Sequence, residues 1–234
     1  MLKLTNVSAW YGEIQVLHNV CLEVRAGEIV TLIGANAAGK STMVGCISRT
    51  LRTFTGEIEF EGERIEHLRP DQIVDAGLIQ VPEGRLLFPK LSVRENLEMG
   101  AYSARSRKGR KQRLELVYDI LPRLKDRERQ LAGTLSGGEA QMCAIGRGLM
   151  AHPKLIMFDE PSLGLAPKVV TQIIELIGRI RQQGISVLLI EQNIRQSLRI
   201  AQRAYAMENG KIILHGTGPE LLESDAVKKA YLGL

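Results

Sequence analysis

The sequence has no apolar run long enough to cross a membrane. Its longest apolar stretches, such as residues 185–190, suit a buried strand and fall far short of the roughly 20 residues that a membrane helix needs. The first residues, 1–6, show neither the apolar stretch nor the small-residue cleavage site of a signal peptide. We therefore expect the chain to stay in the cytoplasm.

Cysteine and histidine are also scarce. The three cysteines, Cys21, Cys46 and Cys143, are widely spaced and form no Cys-x-x-Cys pair. The four histidines have no spacing typical of metal ligands. We expect three buried free thiols in a reducing compartment rather than a disulfide framework or a cysteine-histidine metal site.

Charge is nearly balanced, with a net charge of +5 that does not by itself indicate nucleic acid. The densest cluster has six cations within residues 105–113. A solvated loop or helix start explains such a run, and contact with anionic lipid headgroups or an acidic partner is the alternative. Nucleic acid is the least favoured, because no aromatic residues lie among the cations to stack on bases. The run consists of Arg105, Arg107, Lys108, Arg110, Lys111 and Arg113.

The pattern of apolar residues indicates an α/β protein. With 234 residues and 44% hydrophobic content, the chain can build a sizeable core. Residues 1–33 read as short strands, and residues 55–63 as a half-exposed hairpin. Helical spacing dominates from about 92 to 150. Strand and helix signals alternate from Leu155 onward, as expected for a parallel sheet covered by helices.

Residues 34–41 fit the phosphate-binding pattern G-x-x-x-x-G-K-[ST]. The apolar run 28–33 precedes them and a helix-compatible stretch follows, so the motif has the strand–loop–helix context that it requires. Backbone N–H groups of such a loop wrap phosphates, Lys40 reaches the terminal phosphates, and the Ser41 hydroxyl ligates Mg²⁺. A glycine turn with an incidental lysine is the alternative. The expected nucleotide-binding residues are Gly34, Ala35, Asn36, Ala37, Ala38, Gly39, Lys40, Ser41 and Thr42.

An apolar run at residues 155–158 ends in two carboxylates, Asp159 and Glu160. Buried strands commonly stop at polar residues, so a plain strand end is one interpretation. Beside a phosphate loop, Asp159 gains a role in holding Mg²⁺, and Glu160 can polarise the water that attacks the γ-phosphate. Phosphoryl transfer needs mainly positioning and charge neutralisation, so this pair is sufficient.

The segment Leu-Ser-Gly-Gly-Glu at residues 135–139 precedes a helical stretch. Serine caps helices well, and two glycines give the backbone freedom, so a capped helix is one interpretation. The same exposed N–H groups and helix N-terminus also bind anions. Because this chain already has a phosphate loop, the second anion site could serve the nucleotide of a partner chain.

These motifs, in this order, resemble the ATP-binding subunits of ABC transporters over nearly the whole length. The resemblance implies a P-loop NTPase (RecA-like) parallel sheet core, with an antiparallel β subdomain and an inserted helical subdomain. It also implies a single ABC ATPase domain over 1–234. Residues of about 1–83 and 151–234 would form the core lobe, and about 84–150 the helical subdomain, which contains the family's Leu-Ser-Gly-Gly-Glu signature at residues 135–139.

The resemblance further implies that two such subunits, identical or paralogous, pair head to tail around ATP and Mg²⁺. Ser136, Gly137 and Gly138 would then act on the partner's nucleotide, and Tyr11 would stack on adenine. A strand-edge aromatic is the alternative for Tyr11. The implied partners are membrane permease subunits and, indirectly, an extracytoplasmic solute-binding protein, with no nucleic acid. The implied location is peripheral, at the cytoplasmic face of the bacterial inner membrane.

Three departures from the general family pattern indicate a branch. Glu83 stands where the family usually has Gln, Gln192 replaces a His that contacts the γ-phosphate, and Ala166 replaces an Asp. Together with the C-terminal residues 230–234, they resemble the second ATPase subunit of branched-chain amino acid importers. We expect Glu83 near the metal with Ser41 and Asp159. We expect Gln192 to act in catalysis with Glu160 and Lys40 through its amide.

Two local features each allow two interpretations. Most family members have Gly where Ala37 stands, and a methyl group disfavours positive φ, so the loop could adapt or nucleotide affinity could fall. Residues 88–97 carry Phe88, Leu91, Val93 and Leu97. They form either a groove for the coupling helix of the membrane subunits or the core of the helical region.

Three functions compete. The leading one is an importer motor, and the same motor in a urea or amide importer is close to it. Exporters of lipopolysaccharide usually keep the His that is replaced here. A soluble ABC ATPase acting on ribosomes or DNA usually has two nucleotide domains or a long coiled-coil insert, and this sequence has neither. An inactive nucleotide sensor is disfavoured by intact Lys40, Asp159 and Glu160.

Overall fold

The structure is a computed structural model that describes residues 1–229, apart from the side chain of Ala104. The C-terminal residues 230–234, which contributed to the subgroup prediction, lie outside the described residues. The strands are β1 Leu2–Tyr11, β2 Ile14–Val24, β3 Ile29–Ile33, β4 Phe54–Phe60, β5 Glu63–Arg64, β6 Leu78–Val81, β7 Leu155–Asp159, β8 Ser186–Ile190, β9 Arg203–Glu208 and β10 Lys211–Gly216. The helices are α1 Lys40–Ile47, α2 Pro70–Ala76, α3 Val93–Met99, α4 Ala104–Arg107, α5 Arg110–Ile120, α6 Pro122–Asp126, α7 Gly137–Met150, α8 Pro167–Gln182, α9 Ile194–Ile200, α10 Gly218–Glu223 and α11 Asp225–Val227, with a 3₁₀ turn at Ala132–Thr134.

A six-stranded sheet with the order β10-β9-β3-β8-β7-β6 forms the centre of the molecule. All its strand pairs are parallel except β9 with β10. Every residue of β3, β7 and β8 is buried, as expected for central parallel strands with both faces covered. The carboxyl ends of these three strands meet at one edge, where ligands bind in open α/β sheets. The predicted fold class is confirmed.

A four-stranded antiparallel sheet, β2-β1-β4-β5, packs over α1 and one face of the parallel sheet. The predicted hairpin is present, with Phe60 paired to Glu63 across the turn. The first strands are longer than the sequence indicated, since β1 and β2 have 10 and 11 residues. Register shifts interrupt their pairing, and such irregularities divide the apolar alternation into shorter segments.

Between β6 and β7, the chain forms an irregular segment at residues 82–92, the helices α3 to α7 and the 3₁₀ turn. Val93 and Leu97 are fully buried in the same cluster as Ile79 and Phe158 of the parallel sheet. They therefore build the core, whereas Phe88 is 46% exposed and available to a groove. The division of the chain into a core lobe and a helical subdomain stays a prediction.

The basic run 105–113 spans α4 and the start of α5. Arg105 and Arg113 donate to neighbouring backbone carbonyls, and Arg110 lies 3.5 Å from Glu98. Three of the six cations therefore hold α4 and α5 against neighbouring segments. The exposed remainder is Arg107, Lys108 and Lys111.

The prediction of three buried thiols is wrong for Cys21, which is exposed, and Cys46 and Cys143 are buried. Cys21 lies on the edge strand β2, on the face that points away from the core. Burial raises the pKa of Cys46 to about 12 and that of Cys143 to about 11. Both therefore remain almost entirely protonated, and unreactive, at pH 8.

We expect one thiol per native chain to react rapidly with Ellman's reagent at pH 8, and three after denaturation. Cys21 is the accessible thiol, whereas the two buried thiols are shielded and have high pKa values. Cys21→Ser should abolish the rapid reaction. Rapid labelling that persists in this variant would contradict the assignment.

Candidate active site

The phosphate loop connects β3 to α1, and the first residue of that helix, Lys40, is only 4% exposed. Its ammonium group donates to the carbonyls of Gly34 and Ala35 at 2.8 and 2.9 Å. It also lies 3.6 Å from Glu160 Oε1. A cation at a helix N-terminus opposes the helix dipole. The site thus concentrates positive potential where phosphates would bind.

Asp159 ends β7 and is 6% exposed. The Ser41 hydroxyl donates to Asp159 Oδ1 at 3.2 Å. Burial raises the pKa of Asp159, the Ser41 hydrogen bond lowers it, and the nearby Glu160 and Glu83 carboxylates raise it again. A divalent cation would offset this crowding of negative charge.

The donor set fits Mg²⁺, which prefers hard oxygen ligands and usually takes one or two carboxylates together with substrate phosphates. The hydroxyl of Ser41 and the carboxylate of Asp159 supply such oxygens from neighbouring elements. In the described part of the chain, no group of three or more His, Cys, Asp or Glu side chains could hold a metal alone. Phosphate oxygens of the nucleotide and water would complete the coordination of the cation.

Glu160 is held from two sides. The side-chain amide of Gln192 donates to its Oε2, and Lys40 lies beside its Oε1. Its backbone has a positive φ of 49°, and its N–H donates to the Ile190 carbonyl at 2.9 Å. A non-glycine residue in this region is strained and persists only where its surroundings fix it. The backbone thus aims this carboxylate at Lys40.

One cavity of about 510 Å³ brings together residues that are far apart in sequence. Its lining combines the phosphate loop with Glu83, Glu160, Leu163 and Gln192. Within residues 1–229, the lining leaves out Tyr11, which is 54% exposed near the end of β1. The full lining is Val16, Asn36, Ala37, Gly39, Lys40, Ser41, Thr42, Glu83, Glu160, Leu163 and Gln192.

The segment 136–138 opens into a different cavity, of about 300 Å³. Ser136 caps α7, and Glu139 closes a capping box by accepting from the Ser136 N–H at 3.0 Å. Residues 164–166 also line this second cavity, whereas Leu163 lines the first. The loop after Glu160 therefore runs from one cavity to the other.

Known proteins with similar sequences and structures support the interpretation of this cavity as a nucleotide site. The model of the family "ABC transporter" matches residues 17–163. The chain belongs to the ABC transporter family. It is 48% identical, over the full length of both chains, to the "High-affinity branched-chain amino acid transport ATP-binding protein BraG" of Pseudomonas aeruginosa. As an ABC ATPase, it binds ATP with Mg²⁺ and hydrolyses ATP.

Two further comparisons support the assignment to the ABC family. The chain is 34% identical to the "Lipopolysaccharide export system ATP-binding protein LptB" of Haemophilus influenzae, covering 100% of this chain and 97% of the relative. The solved ADP conformation of MJ1267, an ATP-binding cassette of an ABC transporter, superposes with a TM-score of 0.85 at 29% identity. That match covers 100% of this chain and 99% of the other.

Two further side chains hold the loops around the site of this ABC ATPase. The sequence alone did not indicate them. Glu191, between β8 and Gln192, is 1% exposed and accepts four hydrogen bonds. Arg147 on α7 donates to the carbonyls of Leu86 and Arg85 at 2.8 and 3.2 Å. The sequence signals were a carboxylate directly after an apolar strand and a cation on the apolar helix α7.

Arg147 holds an unusual backbone segment. Gly84, Arg85 and Leu86 all have positive φ, at 78°, 66° and 44°. Consecutive left-handed residues are unfavourable for any residue with a Cβ, so the segment needs external support. The guanidinium of Arg147 supplies that support directly after Glu83, which lines the nucleotide cavity.

Ala37 in the phosphate loop also has a positive φ, of 64°. We expect Ala37→Gly to raise the melting temperature of the apo protein by about 1–4 °C. Removing a Cβ from this region gains about 1–2 kcal/mol, and the greater freedom of the unfolded chain offsets part of it. Differential scanning fluorimetry would measure the shift. A lower melting temperature would show that the methyl group contributes packing that outweighs its strain.

Proposed function

We propose that the chain is the ATP-hydrolysing motor subunit of an importer of branched-chain amino acids. The observation that carries the proposal is the cavity where Lys40, Glu160 and Gln192 converge. The full-length identity of 48% to BraG supports the substrate class. The subunit would act at the cytoplasmic face of the bacterial inner membrane, bound to membrane permease subunits. Among residues 1–229, no helix is long and apolar enough to cross a membrane.

Each side chain of the cavity then has a chemical task. Bound ATP with Mg²⁺ supplies the phosphoryl group and neutralises its charge. Lys40 and the loop N–H groups would hold the phosphates, and Ser41 and Asp159, with Glu83, would hold the cation. The Glu160 carboxylate would orient the attacking water and accept its proton. The Gln192 amide fixes Glu160 by donating to Oε2.

A second ATPase chain would complete the site. The signature residues 136–138 open into their own cavity, away from the phosphate loop of the same chain. The loop between the cavities exposes Leu163, which is 45% accessible. A partner in head-to-tail orientation would place its signature on this chain's nucleotide and its phosphate loop against this chain's Ser136.

A groove on the helical region is suited to a membrane subunit. A largely apolar cavity of about 440 Å³ lies between α2, β6 and α7. Phe88, Met99 and Tyr102 line it together and are each about half exposed, and adjoining exposed apolar side chains mark interaction sites. We propose that an apolar helix of a permease subunit docks here.

We expect Phe88→Asp to abolish assembly with the permease subunits while the isolated chain stays folded. An aspartate would place a charge in an apolar contact, but Phe88 is too exposed to support the core. Co-purification from membranes would measure assembly. Leu131→Asp, at a residue about 50% exposed, is the matched control. Intact assembly of Phe88→Asp would assign the groove another role.

Uptake of radiolabelled leucine tests the proposed function. Cells of the source organism carrying Lys40→Ala should lose leucine uptake and keep the uptake of unrelated solutes. Unchanged leucine uptake, in a strain without a second leucine system, would contradict the substrate class. Uptake of urea and small amides in the same strains would then test the alternative importer.

A further inference from the structure

Glu191 is the least exposed carboxylate of residues 1–229, at 1%. It follows β8 at the carboxyl edge of the sheet, next to the nucleotide cavity. The donors that hold it are all uncharged. Burying an ionised carboxylate without a cation is costly unless hydrogen bonds compensate for the lost water. The burial of Glu191 therefore indicates a role other than stabilising the fold.

The four hydrogen bonds divide between two loops, which we call the Ser162 loop (residues 161–166) and the Gln192 loop (residues 191–193). Oε1 accepts from the Ser162 N–H at 2.9 Å, and Oε2 from the Ser162 hydroxyl at 2.9 Å. Oε2 also accepts from the N–H groups of Gln192 and Asn193 at 3.1 and 3.2 Å. Two bonds therefore go to each loop, so Glu191 joins them.

Both loops are directly connected to Glu160. Ser162 follows Glu160 by two residues, and Glu160 has the strained positive φ described above. The Gln192 side chain donates to Glu160 Oε2. The relative position of the two loops therefore fixes the angle at which Gln192 meets the catalytic carboxylate.

We propose that Glu191 is a positioning residue that fastens the Ser162 loop to the Gln192 loop and thereby aims Glu160 at the reacting phosphate. The inference rests on ATP hydrolysis in the Lys40 cavity. A carboxylate fits the task, because both its oxygens accept hydrogen bonds from the two loops. A glutamine of the same shape must turn its NH₂ group either toward the Ser162 N–H or toward the N–H groups of Gln192 and Asn193, and so loses at least one bond to one of the loops.

The test compares Glu191→Gln with the wild-type chain by ATPase kinetics. We expect kcat to fall at least about tenfold, with KM for ATP within about twofold, because the altered contacts act on Glu160 and not on the phosphates. Ser162→Ala removes one of the four bonds and should lower kcat about two- to fivefold, again with KM for ATP within about twofold. The double variant should be slowed by less than the product of the two single effects, since both substitutions act on the same link.

Glu28→Gln is the matched control. Glu28 is also a buried carboxylate, but it lies at the opposite end of β3 and bonds to Arg203. This variant should lower the melting temperature and leave kcat unchanged below it, which is the pattern of a purely structural carboxylate. If Glu191→Gln does not fold, the kcat of Ser162→Ala alone tests the proposal.

Retention of kcat within about twofold in both Glu191→Gln and Ser162→Ala would overturn the proposal. A rise in KM with unchanged kcat would overturn it as well, because it would place Glu191 in nucleotide binding. The wild-type rate is measured first. If the wild type itself does not hydrolyse ATP, the proposed function fails before this inference is reached.

Discussion

We expect Glu160→Gln to lower ATP turnover by at least about a hundredfold and to leave ATP affinity within about twofold, because a general base contributes about 10²–10⁴ to such rates. The amide keeps the shape of the side chain and an oxygen that can accept from Gln192, but it cannot take a proton from water. The phosphates are held elsewhere, by Lys40 and the loop. Single-turnover hydrolysis and fluorescent-nucleotide binding measure the two quantities.

Glu175→Gln, on the exposed face of α8, is the matched control and should leave turnover unchanged. A Glu160→Gln chain that turns over ATP at the wild-type rate would remove Glu160 from the chemistry. The bound ATP should also persist in this variant. The variant therefore provides the long-lived complex needed to observe the paired chains.

We expect that mixing two inactive variants restores activity if the signature acts on the partner's nucleotide. Lys40→Ala disables the phosphate loop, and Ser136→Arg disables the signature. In a mixed pair, the intact loop of one chain faces the intact signature of the other. Random pairing of equal amounts should recover roughly a quarter of the wild-type rate, because half of the pairs carry one intact site of two. Each variant alone should have negligible activity.

Ser92→Arg provides the control for folding. Ser92 caps α3 with Glu95 just as Ser136 caps α7 with Glu139, so both substitutions remove a helix cap worth about 1 kcal/mol. Only Ser136→Arg should abolish ATP hydrolysis. A mixture that stays inactive, at concentrations where the Glu160→Gln chain pairs, would contradict action in trans.

The sequence predicted the parts of the fold that depend on local chemistry. The apolar runs of β3, β7 and β8 can be buried only in a sheet covered on both faces, and the structure confirms that. The phosphate loop required its strand and helix, and Ser136 required a helix to cap. These conclusions needed no knowledge of distant contacts.

Other features depend on contacts between distant segments. Cys21 looked buried by composition, but the edge position of β2 exposes it. Val93 and Phe88 both looked apolar, yet one fills the core and the other stays exposed. Glu191 gains its role only when β7 and β8 bring their loops together. The proposed roles of Tyr11 and residues 136–138 depend on molecules that bind to the chain, so they stay predictions.

Helix α7 connects the left-handed segment after Glu83 to the signature residues 136–138. The helix has 14 residues and is therefore a rigid rod of about 20 Å. One end begins at Ser136, and the other end carries Arg147, which grips the carbonyls of Arg85 and Leu86 and lies over the Phe88 ring. The Phe88 groove and the signature residues 136–138 are therefore attached to opposite ends of one helix, and the first carbonyl that Arg147 holds lies two residues after Glu83.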